Sequence, residues 1–211
     1  MNVLIAGACR SGSTALYNIA RLIMERMYGV EDVYAGRTDV QYPGRPHAVL
    51  HHHQPSEEKR RWADVVLTSH RCLLDVVASD KRCNDIIHGK PYKNTKESLL
   101  DLLATVVGCN MWWKPFAHFD FAYKMVSENT HEATQIVAGE LDAPFSLEGI
   151  AETVISYESG DYKHDPRSLV CEIARTDGRV GAYGEFLEQW EIDLVLKHYS
   201  WWQRDYGYRT E

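Results

Sequence analysis

Apolar residues fall in two rhythms along this chain, short continuous runs and helical stripes, and the two rhythms alternate. Residues 2–6 (NVLIA) are an apolar run of strand length, and from Ser13 onward Leu16, Ile19, Ala20 and Ile23 recur at helical spacing. Residues 30–35 and 48–53 read as two further strands, separated by the polar, turn-rich stretch 36–46. Residues 56–62 are charged and predict a short surface helix, stopped off from the preceding strand by Pro55. Residues 63–69 (ADVVLTS) are compact and β-branched, the composition of a buried strand. A helix follows over 73–87, and the longest one over 95–113, where Leu99, Leu102, Leu103, Val106 and Val107 keep core spacing until Pro115. Residues 119–126 (FDFAYKMV) predict a strand, with Thr130 as N-cap of a helix over 131–141. Helices over 146–156 and 186–206 complete the chain, with a loop at 157–166 and a glycine-punctuated loop at 175–183 between them. Alternating strands and helices predict an α/β fold, a mainly parallel sheet flanked by helices. In such a sheet ligands bind outside the C-terminal ends of the strands.

Composition narrows this without redirecting it. At 211 residues the expectation is a single domain over 1–211, large enough for a full core. A formal net charge of −7 argues against general affinity for nucleic acid or anionic membrane, so any phosphate site must be a local patch. No apolar run reaches the length of a membrane span, and the first residues lack the pattern of a signal peptide. Cys9, Cys72, Cys83, Cys109 and Cys171 are odd in number, irregularly spaced and without metal-ligand spacing. A reduced, cytoplasmic protein that needs no metal is the expectation.

The first strand runs into a glycine-bounded turn, residues 7–12, and then into a helix. Such a unit points backbone N–H groups and the positive end of a helix dipole at one spot, which suits an anion. Gly7, Gly12 and Thr14 fit the nucleotide frame G-x-x-x-x-G-K-S/T, but Ser13 stands where the lysine belongs, and the nearest cation is Arg10. A triphosphatase needs that lysine for its terminal phosphates, so the loop suits an anion better than ATP or GTP hydrolysis. An ordinary strand–turn–helix start with small residues for packing has the same spacing. Three histidines, His51, His52 and His53, close another predicted strand, and Arg71 follows a third; all lie at ligand-facing strand ends.

Together these clusters make the sequence resemble the sulfotransferases that use 3′-phosphoadenosine 5′-phosphosulfate (PAPS). That family reads the 5′-phosphosulfate with a loop of the form K/R-S/T-G-S/T-S/T after the first strand; here it is Arg10-Ser11-Gly12-Ser13-Thr14, closest to the arginine-bearing carbohydrate and bacterial type. The family reads the 3′-phosphate with a strand-end arginine and a serine eight residues later, a spacing that Arg71 and Ser79 have. The residues after Arg71, Cys72 and Leu73, depart from the polar residue and proline usual there. His51-His52-His53-Gln54-Pro55 overlays the K-T-H-x-P segment, which implies His53 as catalytic base, with His51, standing where a lysine is usual, as the reserve candidate. Tyr123 resembles the tyrosine near the adenine. Gly178-Arg179-Val180-Gly181 resembles the second cofactor loop, often G-x-x-G-D/K-W.

The resemblance implies a P-loop sulfotransferase fold, PAPS as donor, 3′,5′-adenosine bisphosphate (PAP) as product, and a small-molecule or carbohydrate acceptor bearing a hydroxyl or amine. Arg10 becomes the stationary clamp, with Ser11, Gly12, Ser13 and Thr14 around the 5′ end, Arg71 and Ser79 on the 3′-phosphate, and Gly178, Arg179 and Gly181 in the second loop. Other readings of the same residues stay open. Three adjacent histidines also occur at solvated strand ends and in metal sites, and Trp112 and Trp113 suit either an acceptor wall or a core. A small-molecule P-loop kinase lacks its lysine at Ser13 and a clear Walker-B aspartate, since Val65-Val66-Leu67 runs into Thr68-Ser69. A nucleotide-binding protein without catalysis differs only in its base.

Overall fold

The computed structural model describes residues 1–37, 44–89, 91–159, 163, 165, 167–170 and 179–208. The chain packs as two compact units, one of Met1–His70 with Cys109–Val170, the other of Arg71–Gly108 with Cys171–Glu211. The expected loop glycine Gly178 lies outside the described residues.

The first unit holds a five-stranded sheet of β1 (Asn2–Ala6), β2 (Val33–Arg37), β3 (His47–His52), β4 (Val65–His70) and β5 (Phe119–Ala122), in the order β2-β3-β1-β4-β5. Every pairing is parallel, so all C-terminal ends share one edge. The central β1 separates β3 and β2 on one side from β4 and β5 on the other. That change of side is where an open parallel sheet leaves a crevice. Helix α1 (Ser13–Tyr28) buries Leu16, Ile19, Ala20 and Ile23 against Val3, Ile5, Val49, Leu67 and Phe121, the alternate residues of four strands. Interior strands covered on both faces read as continuous apolar runs, which is why β1 and β4 stand out in the sequence.

Around α1 the same core takes in Val126, Ala133, Val137 and Val154. These come from α5 (Tyr123–Glu128), α6 (Thr130–Glu140) and α7 (Ile150–Ser159). Arg21, 2% exposed in mid-α1, is paid for by Asp165, Glu25 and the Tyr157 hydroxyl. Tyr17 and Asn18 also bond the carbonyls of Arg167 and Ser168. A short helix α2 (Glu57–Trp62) is capped by Ser56, whose hydroxyl accepts from the Lys59 amide.

Three expectations are corrected. Residues 119–126 do not form one strand: β5 ends at Ala122 and Tyr123 opens α5. Ala122 pairs with His70, the last residue of β4, so residues beyond it have no ladder partner and satisfy their backbone helically. Thr130 is not an N-cap but the first residue of α6, and its hydroxyl donates to the Val126 carbonyl at 2.9 Å. The helix expected over 146–156 starts later, after Gly149.

The second unit consists of α3 (Leu73–His88), most of α4 (Lys96–Trp113) and α8 (Gln189–Asp205); residues 109–113 of α4 belong to the first unit. A capping box of Glu188 and Glu191 starts α8 three residues later than the sequence predicts, after a short 3-10 turn at Ala182–Glu185. Glu191 is fully buried, and it is held by Lys81 at 2.9 Å and Asn94 at 2.7 Å, which ties α8 to α3. No described helix is long and apolar enough to cross a membrane.

Candidate functional site

At the sheet edge, the loop after β1 is shaped by left-handed backbone. Arg10 has φ 68° and Gly12 φ 90°, and Gly12 directly precedes α1. A non-glycine residue in that region costs free energy that the surrounding structure must hold in place. The constraint is visible. Ser11, 1% exposed, donates its hydroxyl to the Ala8 carbonyl at 2.7 Å, and it lies 2.8 Å from the Ser69 hydroxyl on β4. Gly12 lies against the Tyr123 ring so closely that a Cβ there would sit 2.6 Å from Cδ2. The Gly12 carbonyl accepts from the Ala15 and Leu16 amides. No side chain caps α1 and no acid stands in its first turn, so its dipole is left open to an anion. Thr14 is half-buried one residue further on.

The histidines divide by face. His51, 4% exposed, puts Nε2 2.8 Å from the Ser13 hydroxyl. Burial pushes its pKa down to about 3, with His53, Arg37 and His52 adding to the shift, so it is neutral at physiological pH. His52 turns to the opposite face, its ring edge-on to the fully buried Trp113 at 6.2 Å between centroids. Trp113 is therefore core. The His53 ring meets His51 edge-on at 4.5 Å and donates from Nδ1 to the Gly7 carbonyl at 2.9 Å. A carbonyl only accepts, so Nδ1 carries the proton and the neutral ring keeps its basic lone pair on Nε2.

Burial is the largest influence on His53 and lowers its pKa. The hydrogen bond and charge of Cys9, then the Gly7 carbonyl, outweigh burial and hold the pKa above the ordinary 6.5. A base must be neutral to act, so activity through His53 should rise with pH, with its midpoint above 6.5 in the kcat/KM profile. Cys9→Ala should move that midpoint down. An acid limb below 6.5 that ignores this substitution would count against His53.

The second unit gathers the other expected residues at the start of α3. Arg71 follows β4, is 4% exposed, and donates from Nη2 to the Arg179 carbonyl at 3.1 Å. Ser79 lies buried in α3. Gly181, at φ 77°, donates its amide to both oxygens of Asp75, at 3.1 and 2.9 Å. Burial raises the Asp75 pKa, opposed by the Gly181 amide and by Arg71. The Arg179 guanidinium pairs with Glu185, with both contacts at 2.8 Å. What Arg179 offers toward Arg71 is its backbone. Among the described residues, no group of three or more His, Cys, Asp or Glu is placed to hold a metal ion.

The sequence matches no protein-family model and no curated protein. Solved structures do match. Retinol dehydratase in complex with androsterone and the inactive cofactor PAP superposes with a TM-score of 0.69 at 11% identity, over 99% of this chain and 82% of that one. Mouse sulfotransferase SULT7A1 complexed with PAP gives 0.65 at 10% identity, over 98% and 86%. Retinol dehydratase with retinol and PAP gives 0.60 at 14%, over 99% and 82%. The fold is that of the sulfotransferases.

Within the sulfotransferase fold, three residues that sequence reasoning passes over shape the candidate site. Ser69 braces Ser11 from the neighbouring strand, and a small residue at a strand end beside a glycine loop is the one signal for it. Asp75 stands in the first turn of α3, four residues after Arg71, yet nothing local ties it to Gly181. Cys109 donates its thiol to the His53 carbonyl at 2.6 Å from the end of α4.

Proposed function

We propose that the chain is a PAPS-dependent sulfotransferase, acting on a hydroxyl or amine of a small-molecule or carbohydrate acceptor, with both units serving as one functional domain. The observation that carries this is the open, acid-free start of α1 behind a left-handed Arg10, set beside a histidine whose tautomer leaves Nε2 basic. Among the structural neighbours, those complexed with PAP lend the donor its identity.

The loop amides of residues 11–14 and the hydroxyls of Ser13 and Thr14 would hold the 5′ end, and Arg10 would clamp it. A guanidinium stays charged and can bind two oxygens at once, which suits holding rather than proton transfer. Arg71 and Ser79 would read the 3′-phosphate, with Arg179 and Gly181 closing over it. Gly178 is proposed for the same loop. Tyr123 packs beside Gly12 and would support the nucleotide there. When bound, the donor supplies an activated sulfuryl group on a phosphate leaving group. His53 takes the acceptor's proton at Nε2, while the Gly7 carbonyl stabilises the imidazolium through Nδ1–H. His51 serves Ser13 instead, since a buried imidazole with a pKa of about 3 is a poor base. Positioning and fixed dipoles then contribute most of the rate.

Binding tests this directly. PAP without magnesium should raise the melting temperature more than ADP or ATP does. A shift with ATP and magnesium but none with PAP would replace the sulfotransferase with a kinase. Arg71→Ala should lose the preference for PAP over adenosine 5′-phosphate by about 10- to 10²-fold, the loss of one charge-assisted contact. A mutant that keeps the preference moves the 3′-phosphate site elsewhere.

A further inference from the structure

Two cysteines flank His53, and neither takes part in a bond made or broken in the transfer above. Cys9 is exposed in the loop after β1, directly before Arg10, and Cys109 is buried near the end of α4. Both touch the same residue: Cys109 donates to the His53 carbonyl at 2.6 Å, and the Cys9 side chain hydrogen-bonds the His53 ring. The Ala8 amide donates to Asn110 Oδ1 at 3.4 Å, which joins the residue before one cysteine to the residue after the other. Cys109 also lies in the field of Cys9. Burial, and then the charge of Cys9, push the Cys109 thiol up to about 12.

We infer that Cys9 and Cys109 form a reversible disulfide that shuts the anion loop. Cys9 is the attacking thiol, being the exposed one with an imidazole beside it to take its proton. The oxidant is a low-molecular-weight disulfide such as oxidised glutathione. The Cys9 sulfur attacks one glutathione sulfur, the S–S bond breaks, and one glutathione thiol leaves. Cys109 then attacks the Cys9 sulfur and releases the second. Two protein S–H bonds and one glutathione S–S bond become one protein S–S bond and two glutathione S–H bonds. The protein loses two electrons and glutathione disulfide gains them.

Closure follows from the bond length. An S–S bond of about 2.0 Å is far shorter than any contact between unbonded thiols. Forming it draws the residue before Arg10 toward α4 and takes both sulfurs from their His53 bonds. The left-handed Arg10 then loses the frame that holds it.

The consequence for nucleotide rests on the donor proposed above; the linkage itself does not. Oxidation should weaken PAP binding by about tenfold. By reciprocity PAP must then favour the dithiol by the same factor, which raises the disulfide's potential by about 30 mV. The full chain is equilibrated in glutathione buffers of graded ratio, with and without saturating PAP, then alkylated and mapped by peptide mass spectrometry. The expected product links Cys9 to Cys109. Cys109→Ser should stop at a glutathione adduct on Cys9, and Cys9→Ser should leave Cys109 unmodified. A wild-type chain that carries only the Cys9 adduct, or that links Cys72, Cys83 or Cys171 instead, overturns the assignment. A linked pair whose potential ignores PAP, in a reduced protein that binds PAP, overturns the gating. If the reduced protein does not bind PAP, the donor is wrong and the linkage is decided by the peptides alone.

Discussion

His53→Asn should lower kcat by about 10²- to 10⁴-fold, the range contributed by a positioned base, while PAP affinity stays essentially unchanged. Asparagine is chosen because its amide can still donate to the Gly7 carbonyl, as Nδ1 does at 2.9 Å, so the loop keeps its brace and loses only the lone pair on Nε2. The contrast with His51→Asn makes the result decisive. His51 is buried and neutral, and Nε2 is committed to Ser13, so its removal costs a hydrogen bond worth about 1 kcal/mol. That loss should fall on donor affinity, roughly fivefold, with kcat little changed. If His51→Asn abolished turnover and His53→Asn spared it, the roles would be reversed.

Much of this was legible in the sequence because it is local. The run of β1, the glycine turn and the stripe of α1 lie within two dozen consecutive residues, and each period is set by neighbours in the chain. Alternation along β3 likewise sends His51 to one face and His52 to the other, as the structure has them. The misread elements depend on partners far away. Phe119, Phe121 and Tyr123 alternate as a strand should, but β5 stops where β4 stops, and His70 lies about fifty residues earlier. Thr130 looks like a cap until Val126 turns out to be helical too. The contacts that brace the candidate site are equally nonlocal: Asp75 to Gly181 spans 106 residues and Cys109 to His53 spans 56. No period or motif records such pairs. Arg71 and Ser79 could be singled out because their eight-residue spacing, from the end of β4 into α3, is itself a local pattern.

Gly12→Ala should reduce PAP affinity by about 10²-fold and lower the melting temperature, for two separable reasons. A side chain at φ 90° pays about 1–2 kcal/mol for left-handed backbone. The added Cβ would also stand 2.6 Å from Tyr123 Cδ2 and 3.1 Å from Cε2, distances at which the ring or the loop must move. Tyr123 is the first residue of α5 and follows β5 without a linker, so the ring has little backbone slack behind it. The loop should yield first, since its amides are the part not fixed by the sheet. A double-mutant cycle separates the two costs. Tyr123→Ala alone should weaken binding by removing the surface beside the loop, yet in the Gly12→Ala background it should harm less or even restore affinity. What remains after relief of the clash is the backbone cost, roughly 5- to 30-fold for 1–2 kcal/mol. Strict additivity of the two substitutions would mean that the ring does not press on Gly12 in solution, and that the glycine is needed for its φ alone.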